Sequence, residues 1–253
     1  MRSAEKIGIV VQARLGSSRL PRKALIEVNG KPLLQRLCRR MQLCRNADDL
    51  IVATSNGPQD QAIEDACRSW GIAVCRGPEK DLTTRLLDVA RVRGLCALVR
   101  VTGDNPLTDP EGIDEMIGAF RESRHRGEGE TAIVHNAHRK GYPYGTGAEI
   151  ANRSLLEICD RELNSPDDRE DFMGFARRCG DRFKCVKLDA PPGLSRPDYF
   201  LTVDYPEDLA LQENISAHFR GRDDMRLQEI IAFLDANPHL PRLNSHLHQQ
   251  FGE

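Results

Sequence analysis

Blocks of apolar residues alternate with amphipathic ones through the first half of the chain. "IGIVVQ" (7–12) is an unbroken apolar run of the kind that forms a buried strand. "PLLQRLCRRMQLCR" (32–45) then spaces Leu33, Leu34, Leu37, Cys38, Met41 and Cys44 at three- and four-residue intervals, a helical stripe. "DLIVATS" (49–55) returns to a strand. A helix is expected over 58–70, a strand over 72–75, a helix over 81–93 and a strand over 96–103. "DPEGIDEMIGAF" opens a further helix, with Asp109 as N-cap and Pro110 at the first helical position. Strands and helices joined by short connections predict a mostly parallel sheet covered on both faces.

After residue 123 the pattern loosens. "RESRHRGEGE" (121–130) is polar and reads as a surface loop, "TAIVHNA" (131–137) as a strand, and "HRKGYPYGTG" (138–147) as turns. Helices are expected over 152–164 and 166–179, divided at Ser165-Pro166. "RFKCVKLDA" (182–190) and "DYFLTVD" (198–204) read as strands, 205–219 and 224–236 as helices, and the polar residues from about 237 as a loosely held tail. One domain over 1–220, a C-terminal helix and tail over 221–253, and an insertion or dimer arm at about 136–180 are the expected organisation. The arm would suit a homodimer.

Composition narrows the class. The 253 residues are 40% hydrophobic and 29% charged, with a formal net charge of −2, so no global field favours nucleic acid or an anionic membrane. Any anion site has to be local. No apolar run approaches the ~20 residues that span a bilayer, and "MRSAEK" lacks the apolar core of a signal peptide; a cytoplasmic protein is expected. The eight cysteines are scattered, with no CxxC pair, and read as reduced thiols. Neither His135 with His138 nor His246 with His248 completes a zinc set.

Three stretches carry candidate chemistry. "VQARLGSSRLPRKAL" (11–25) leaves the first buried strand with Arg14, Arg19, Arg22 and Lys23 beside Gly16, Ser17 and Ser18. Such a loop is either a solvated basic turn or a phosphate site, and its place after a buried strand favours phosphate. It contains neither the GxxxxGK[ST] nor the GxGxxG pattern. In "VRVTGDNPLTDP" (99–110), Asp104 follows a strand end, where it is either an Asx turn or a ligand for Mg²⁺. In "YFLTVDYPEDLAL" (199–211), Asp204 is either part of a helix entry or a second carboxylate converging on the same metal; Glu207 and Asp208 complement the helix N-terminus.

Taken in order with "VNGKPLLQRL", these stretches resemble the cytidylyltransferase family of sugar-acid activating enzymes, which includes CMP-Kdo synthetase and the acylneuraminate cytidylyltransferases. They come closest to the branch of the spore coat polysaccharide biosynthesis protein F. The resemblance spans roughly 5–215. It implies a Rossmann-like three-layer α/β/α sandwich of the nucleotide-diphospho-sugar transferase type, and transfer of CMP from CTP to an acidic sugar with Mg²⁺ as cofactor and release of pyrophosphate. It implies that Arg14, Ser17, Ser18, Arg19 and Lys23 line the triphosphate, with Ala13 and Gly16 in the same loop. Asp104 and Asp204 would hold the metal, Arg100 would lie in the nucleotide strand and Glu149 on the acceptor side. The chain departs from the branch at "YPYGTGAEIANRSLLE" (142–157), where Tyr144 and Gly147 replace acids, and at "REDF" (169–172), which lacks a usual histidine. A different acceptor or lost activity is the expectation attached to those changes. The competing readings are a glycosyltransferase of related fold, disfavoured by the lack of a DxD motif, and a non-catalytic nucleotide-binding protein.

Overall fold

The computed structural model describes residues 5–17, 19–125, 131–136, 141–180 and 182–248. The first apolar run is strand β1 (Ile7–Gln12), and it lies inside the main sheet. The tight turn at Asn29-Gly30, both with positive φ (47° and 73°), joins two short strands, β2 (Glu27–Val28) and β3 (Lys31–Pro32). Positive φ at both central residues is what a two-residue hairpin needs, which explains "VNGK". Helix α1 (Leu33–Met41), β4 (Asp49–Ser55), α2 (Gln61–Ser69), β5 (Ala73–Gly77), α3 (Leu82–Arg93), β6 (Ala97–Thr102) and α4 (Pro110–His125) follow the predicted alternation. The second half supplies β7 (Thr131–His135), β8 (Glu149–Asn152), α5 (Arg153–Glu162), α6 (Pro166–Glu170), α7 (Phe172–Arg178), β9 (Lys184–Lys187), α8 (Pro206–His218) and α9 (Leu227–Ala236).

The seven-stranded sheet has the order β5-β4-β1-β6-β8-β7-β9. β5, β4, β1 and β6 are parallel; β8 runs antiparallel between β6 and β7, and β9 is parallel to β7. Alternation along each strand feeds two cores. Ile7, Ile9 and Val11 face α1, α2 and α4, with Leu34, Leu37, Ile63, Met116 and Phe120. Val10, Ile51, Ala53 and Leu98 face α3, α5 and α7, with Leu86, Leu87, Leu155, Leu156, Phe172 and Met173. The result is the expected three-layer α/β/α sandwich. A third cluster packs α8 and α9 on Leu107, Tyr199 and Leu201. All eight cysteines are free thiols. Among the described residues, no helix is long and apolar enough to cross a membrane.

Several expectations are corrected. Residues 121–125 are helical, because the polar side chains of that last turn pair outward: Arg121 with Asp48 at 3.6 Å and Arg124 with Glu5 at 3.3 Å. The buried strand β8 was not foreseen; four residues between turns carry too little pattern. The helix expected over 166–179 breaks at Asp171, whose φ of −116° and ψ of 52° are non-helical and whose carboxylate caps α7 through Gly174 N. Residues 198–204 form no sheet strand. They make one isolated bridge, Tyr144 to Phe200, because their amides bond the loops of Tyr144 and Asp104 instead of a neighbouring strand. The expected loose tail holds two fully buried residues, Asn244 and His248, while 249–253 lie outside the described residues. Residues 149–178 of the expected arm supply β8 and three helices, two of which, α5 and α7, pack on the main sheet.

Candidate active site

The order of the sheet creates the site. From β1 the chain moves outward to β4 and β5, then returns past β1 to β6, so the topology reverses between β1 and β6. Loops leaving the C-terminal ends of two such strands diverge and leave a crevice. Here those loops are Ala13–Lys23 and Gly103–Asn105, and a cleft of about 310 Å³ lies between them.

Backbone bonds set the loops in place. Gly103 N donates to Gln12 O at 2.8 Å. A Cβ on Gly103 would sit 2.9 Å from both that oxygen and Ala13 Cβ, so only glycine permits this approach. The start of the basic loop is tied to β4 by Asp60, fully buried, which accepts from Leu15 N at 2.8 Å and from the Ser55 hydroxyl. At the far end Arg22 takes a left-handed conformation, φ 59° and ψ 19°, and turns the chain into the short helical turn Lys23–Leu25. The third segment joins through Val203 N, which donates to Asp104 O at 2.8 Å. That bond, with the Thr202 hydroxyl donating to the same oxygen at 3.4 Å, ties the Asp104 and Asp204 loops together.

At the centre, Lys23 Nζ donates to Asp104 Oδ2 at 2.9 Å and to Asp204 Oδ1 at 2.7 Å. Arg19 donates to the same Asp204 oxygen at 2.7 Å and lies 5.3 Å from the centre of the Tyr205 ring. Burial disfavours the charged form of Lys23, but Asp104 and Asp204 outweigh it and hold its pKa above the ordinary lysine value. Burial likewise works against the Asp204 carboxylate; Lys23 and Arg19 overcome it and hold the carboxyl below the ordinary range.

The cleft gathers Ala13, Arg14, Gly16, Ser17, Arg19, Lys23, Asp104 and Asp204 from the sequence-based set. Ser18 lies outside the described residues. Arg22 is exposed and does not line the cleft; its part is the backbone turn. A Cβ at Gly16 would meet nothing nearer than Glu79 Oε1 at 3.8 Å, so neither packing nor φ demands glycine there. Arg100 and Glu149 stand apart from the lining. They face each other on β6 and β8, and Glu149 is flanked by the guanidinium groups of Arg100 and Arg177.

Two charged lining residues were missed by sequence reasoning. Arg85 on α3 is 5% exposed, with its Nη1 on the Pro78 and Glu79 carbonyls. Burial pulls its pKa below the ordinary arginine value. Only the helical phase of "TTRLL" hinted at it. Glu170 comes from "REDF", where the four residues divide their roles. Arg169 anchors the segment to Asp81, Thr84 and Asp160 at 2.7–2.8 Å. Glu170 enters the cleft 3.8 Å from Arg14, Asp171 caps α7, and Phe172 fills the core.

The donor set suits a hard divalent cation that a substrate helps to hold. Two carboxylates already converge on a cation, the Lys23 ammonium. Among the described residues no group of three or more His, Cys, Asp or Glu side chains could hold a metal unaided. Mg²⁺ is commonly bound by one or two carboxylates, with substrate phosphates and waters completing its shell.

Known proteins resemble the chain along most of its length. A family model described as "Cytidylyltransferase" matches residues 8–185. The spore coat polysaccharide biosynthesis protein SpsF of Bacillus subtilis is 32% identical over 237 residues, covering 90% of this chain and 94% of that protein. An 8-amino-3,8-dideoxy-manno-octulosonate cytidylyltransferase of Shewanella frigidimarina is 36% identical over 134 residues, 51% of this chain and 52% of that protein. A solved cytidylyltransferase from Leptospira borgpetersenii superposes with a TM-score of 0.86 at 27% identity, covering 93% of this chain and 96% of the other.

Proposed function

The chain belongs to the cytidylyltransferase family and is a nucleotidyltransferase; we propose that it transfers CMP from CTP to an acidic sugar and releases pyrophosphate. The observation that carries this reading is the convergence of Asp104 and Asp204 on Lys23 beneath the cationic loop, at the sheet's topological switch point. The cleft presents four cations, Arg14, Arg19, Lys23 and Arg85, against three carboxylates, Asp104, Asp204 and Glu170. That leaves one net positive charge, which suits a nucleoside triphosphate accompanied by a divalent cation. The acidic-sugar acceptor is inferred from the activity for which the Shewanella relative is named and from the polysaccharide role in the name of the Bacillus one.

In the reaction the acceptor hydroxyl oxygen bonds to the α-phosphorus of CTP as the bond from that phosphorus to the bridging oxygen breaks. Pyrophosphate departs and the hydroxyl proton passes to solvent. Little covalent chemistry is asked of the protein; it positions the two reactants and neutralises charge. Arg14 and Lys23 meet the charge that develops on pyrophosphate, and Arg19 adds a bidentate fork. Gly16 lets the phosphates approach the backbone where a side chain would intervene. Asp104 and Asp204 would hold Mg²⁺, which when bound polarises phosphate oxygens as a Lewis acid.

Incubating the purified protein with CTP, Mg²⁺ and a panel of sugar acids, among them Kdo and neuraminic acid, tests this reading. Pyrophosphate should appear with at least one acceptor. If no pyrophosphate formed and titration detected no CTP binding, the proposal would be abandoned.

A further inference from the structure

The C-terminal turns of the chain lie beyond the stretch matched by the family model, yet they connect directly to the site. Asp208, the third residue of α8, is fully buried. Its Oδ2 accepts from the backbone amides of Asp204 at 2.8 Å and Tyr205 at 2.9 Å. Its Oδ1 lies 2.7 Å from Asn244 Nδ2 and 2.8 Å from His248 Nε2. An ionised carboxylate only accepts, so both nitrogens donate to it. Asn244 Nδ2 also donates to Phe200 O at 2.8 Å, on the segment that leads into Asp204. The His248 ring is fully buried and stacks on Phe200 at 5.0 Å and 15°, with the Tyr205 ring edge-on at 5.8 Å.

We propose that His248 and Asn244 are positioning residues for nucleotidyl transfer: through Asp208 they fix the backbone at Asp204, and so aim the Asp204 carboxylate at the point it shares with Lys23 and Asp104. The Asn244 amide and the His248 ring N–H, both on one Asp208 oxygen, hold the carboxylate so that its other oxygen caps the two amides, one of which is that of Asp204 itself. A charge-assisted bond of this kind restricts the peptide that carries the site carboxylate. An ordinary helix cap would be complete with the two amides; the further donors come from 36 and 40 residues downstream, and they make the tail part of the site's supporting shell. Displacement of a positioned group by about 1 Å is enough to cost on the order of 10²-fold in rate. The inference rests on the proposed cytidylyl transfer.

The test compares His248→Phe, which keeps the ring stack and removes the donor, with His248→Gln, which restores an N–H donor. Each is assayed well below its own unfolding midpoint for pyrophosphate release and for the KM of CTP. The expected result is a fall in kcat of tenfold or more in His248→Phe with the KM for CTP changed less than threefold, and recovery to within threefold of wild type in His248→Gln. Asn244→Ala, which removes the other donor, should lower kcat in the same direction and serves if His248→Phe does not fold. Wild-type kcat in the folded His248→Phe or Asn244→Ala proteins would overturn the inference, as would equal losses in His248→Phe and His248→Gln. Absence of turnover in the wild type would instead overturn the proposed reaction.

Discussion

Lys23 is the residue on which the site balances. It separates two carboxylates that would otherwise face each other across the cleft, and it is half-buried with both as partners. Replacing it with methionine leaves Asp104 and Asp204 to repel and removes the proposed phosphate contact. A charged hydrogen bond of this kind is worth ~1.5–3 kcal/mol, so CTP affinity, read by calorimetric titration, should weaken roughly tenfold to a hundredfold. Asp204→Asn should keep the fold and lower kcat on the order of 10²-fold, the scale of losing one charge-stabilising group; circular dichroism and pyrophosphate release check the two halves of that statement. Much at this scale was legible in the sequence. The cationic loop after a buried strand and the aspartates just beyond apolar runs line one cleft. Asp60, Arg85 and Glu170 were not legible, because each reaches the site from an element whose local pattern is that of an ordinary helix or turn.

At the scale of elements, the cleft depends on how closely β1 and β6 approach at their C-terminal ends. Gly103→Ala sets a methyl 2.9 Å from Gln12 O and Ala13 Cβ. It should destabilise by about 1–3 kcal/mol, the usual cost of overpacking, visible as a lower urea midpoint. A second test concerns β6 and β8. Burial alone would raise the Glu149 carboxyl, but Arg100 and Arg177 hold it below its ordinary value of 4.5. A depressed folded pKa means that the stability it contributes is complete above 4.5 and is lost as pH falls through the folded value. Glu149→Gln leaves Arg100 without its charged partner and should cost roughly 3 kcal/mol at pH 7. The gap from wild type, followed by urea unfolding, should stay constant down to about pH 4.5 and narrow below it. The strand that carries Glu149 was not legible, since β8 has four residues and gains its register only from β6 and β7. The same limit explains 198–204, where an alternating apolar segment pairs with loops and never joins the sheet.

For the whole molecule, the parallel half of the sheet was readable because β1, β4 and β6 are largely buried on both faces and the helices between strands carry apolar stripes. The reversal of order between β1 and β6 was not readable, since periodicity says nothing of neighbours. Yet the reversal is what turns separate motifs into one cleft: it brings residues 13–23, 103–105 and 204 to the same sheet edge. The net charge of −2 hides a locally positive cleft, so affinity for CTP should fall with rising ionic strength while the overall charge suggests no anion binding at all. The departure at 147 also makes sense only in three dimensions. A Cβ at Gly147 would lie 2.7 Å from Asn136 O, so an acidic side chain there has no room in this packing.

The central claim is that the Asp104–Lys23–Asp204 cluster serves transfer of the cytidylyl group of CTP, with bond formation at the α-phosphorus. It is tested most directly by following CTP labelled at the α-phosphorus, with Mg²⁺ and a sugar acid, in wild type and in Asp104→Asn. The account predicts that label passes to the sugar acid in wild type, and that transfer falls on the order of 10²-fold in the folded variant. Equal transfer by the two proteins, or label that never leaves CTP with any acceptor, would contradict it.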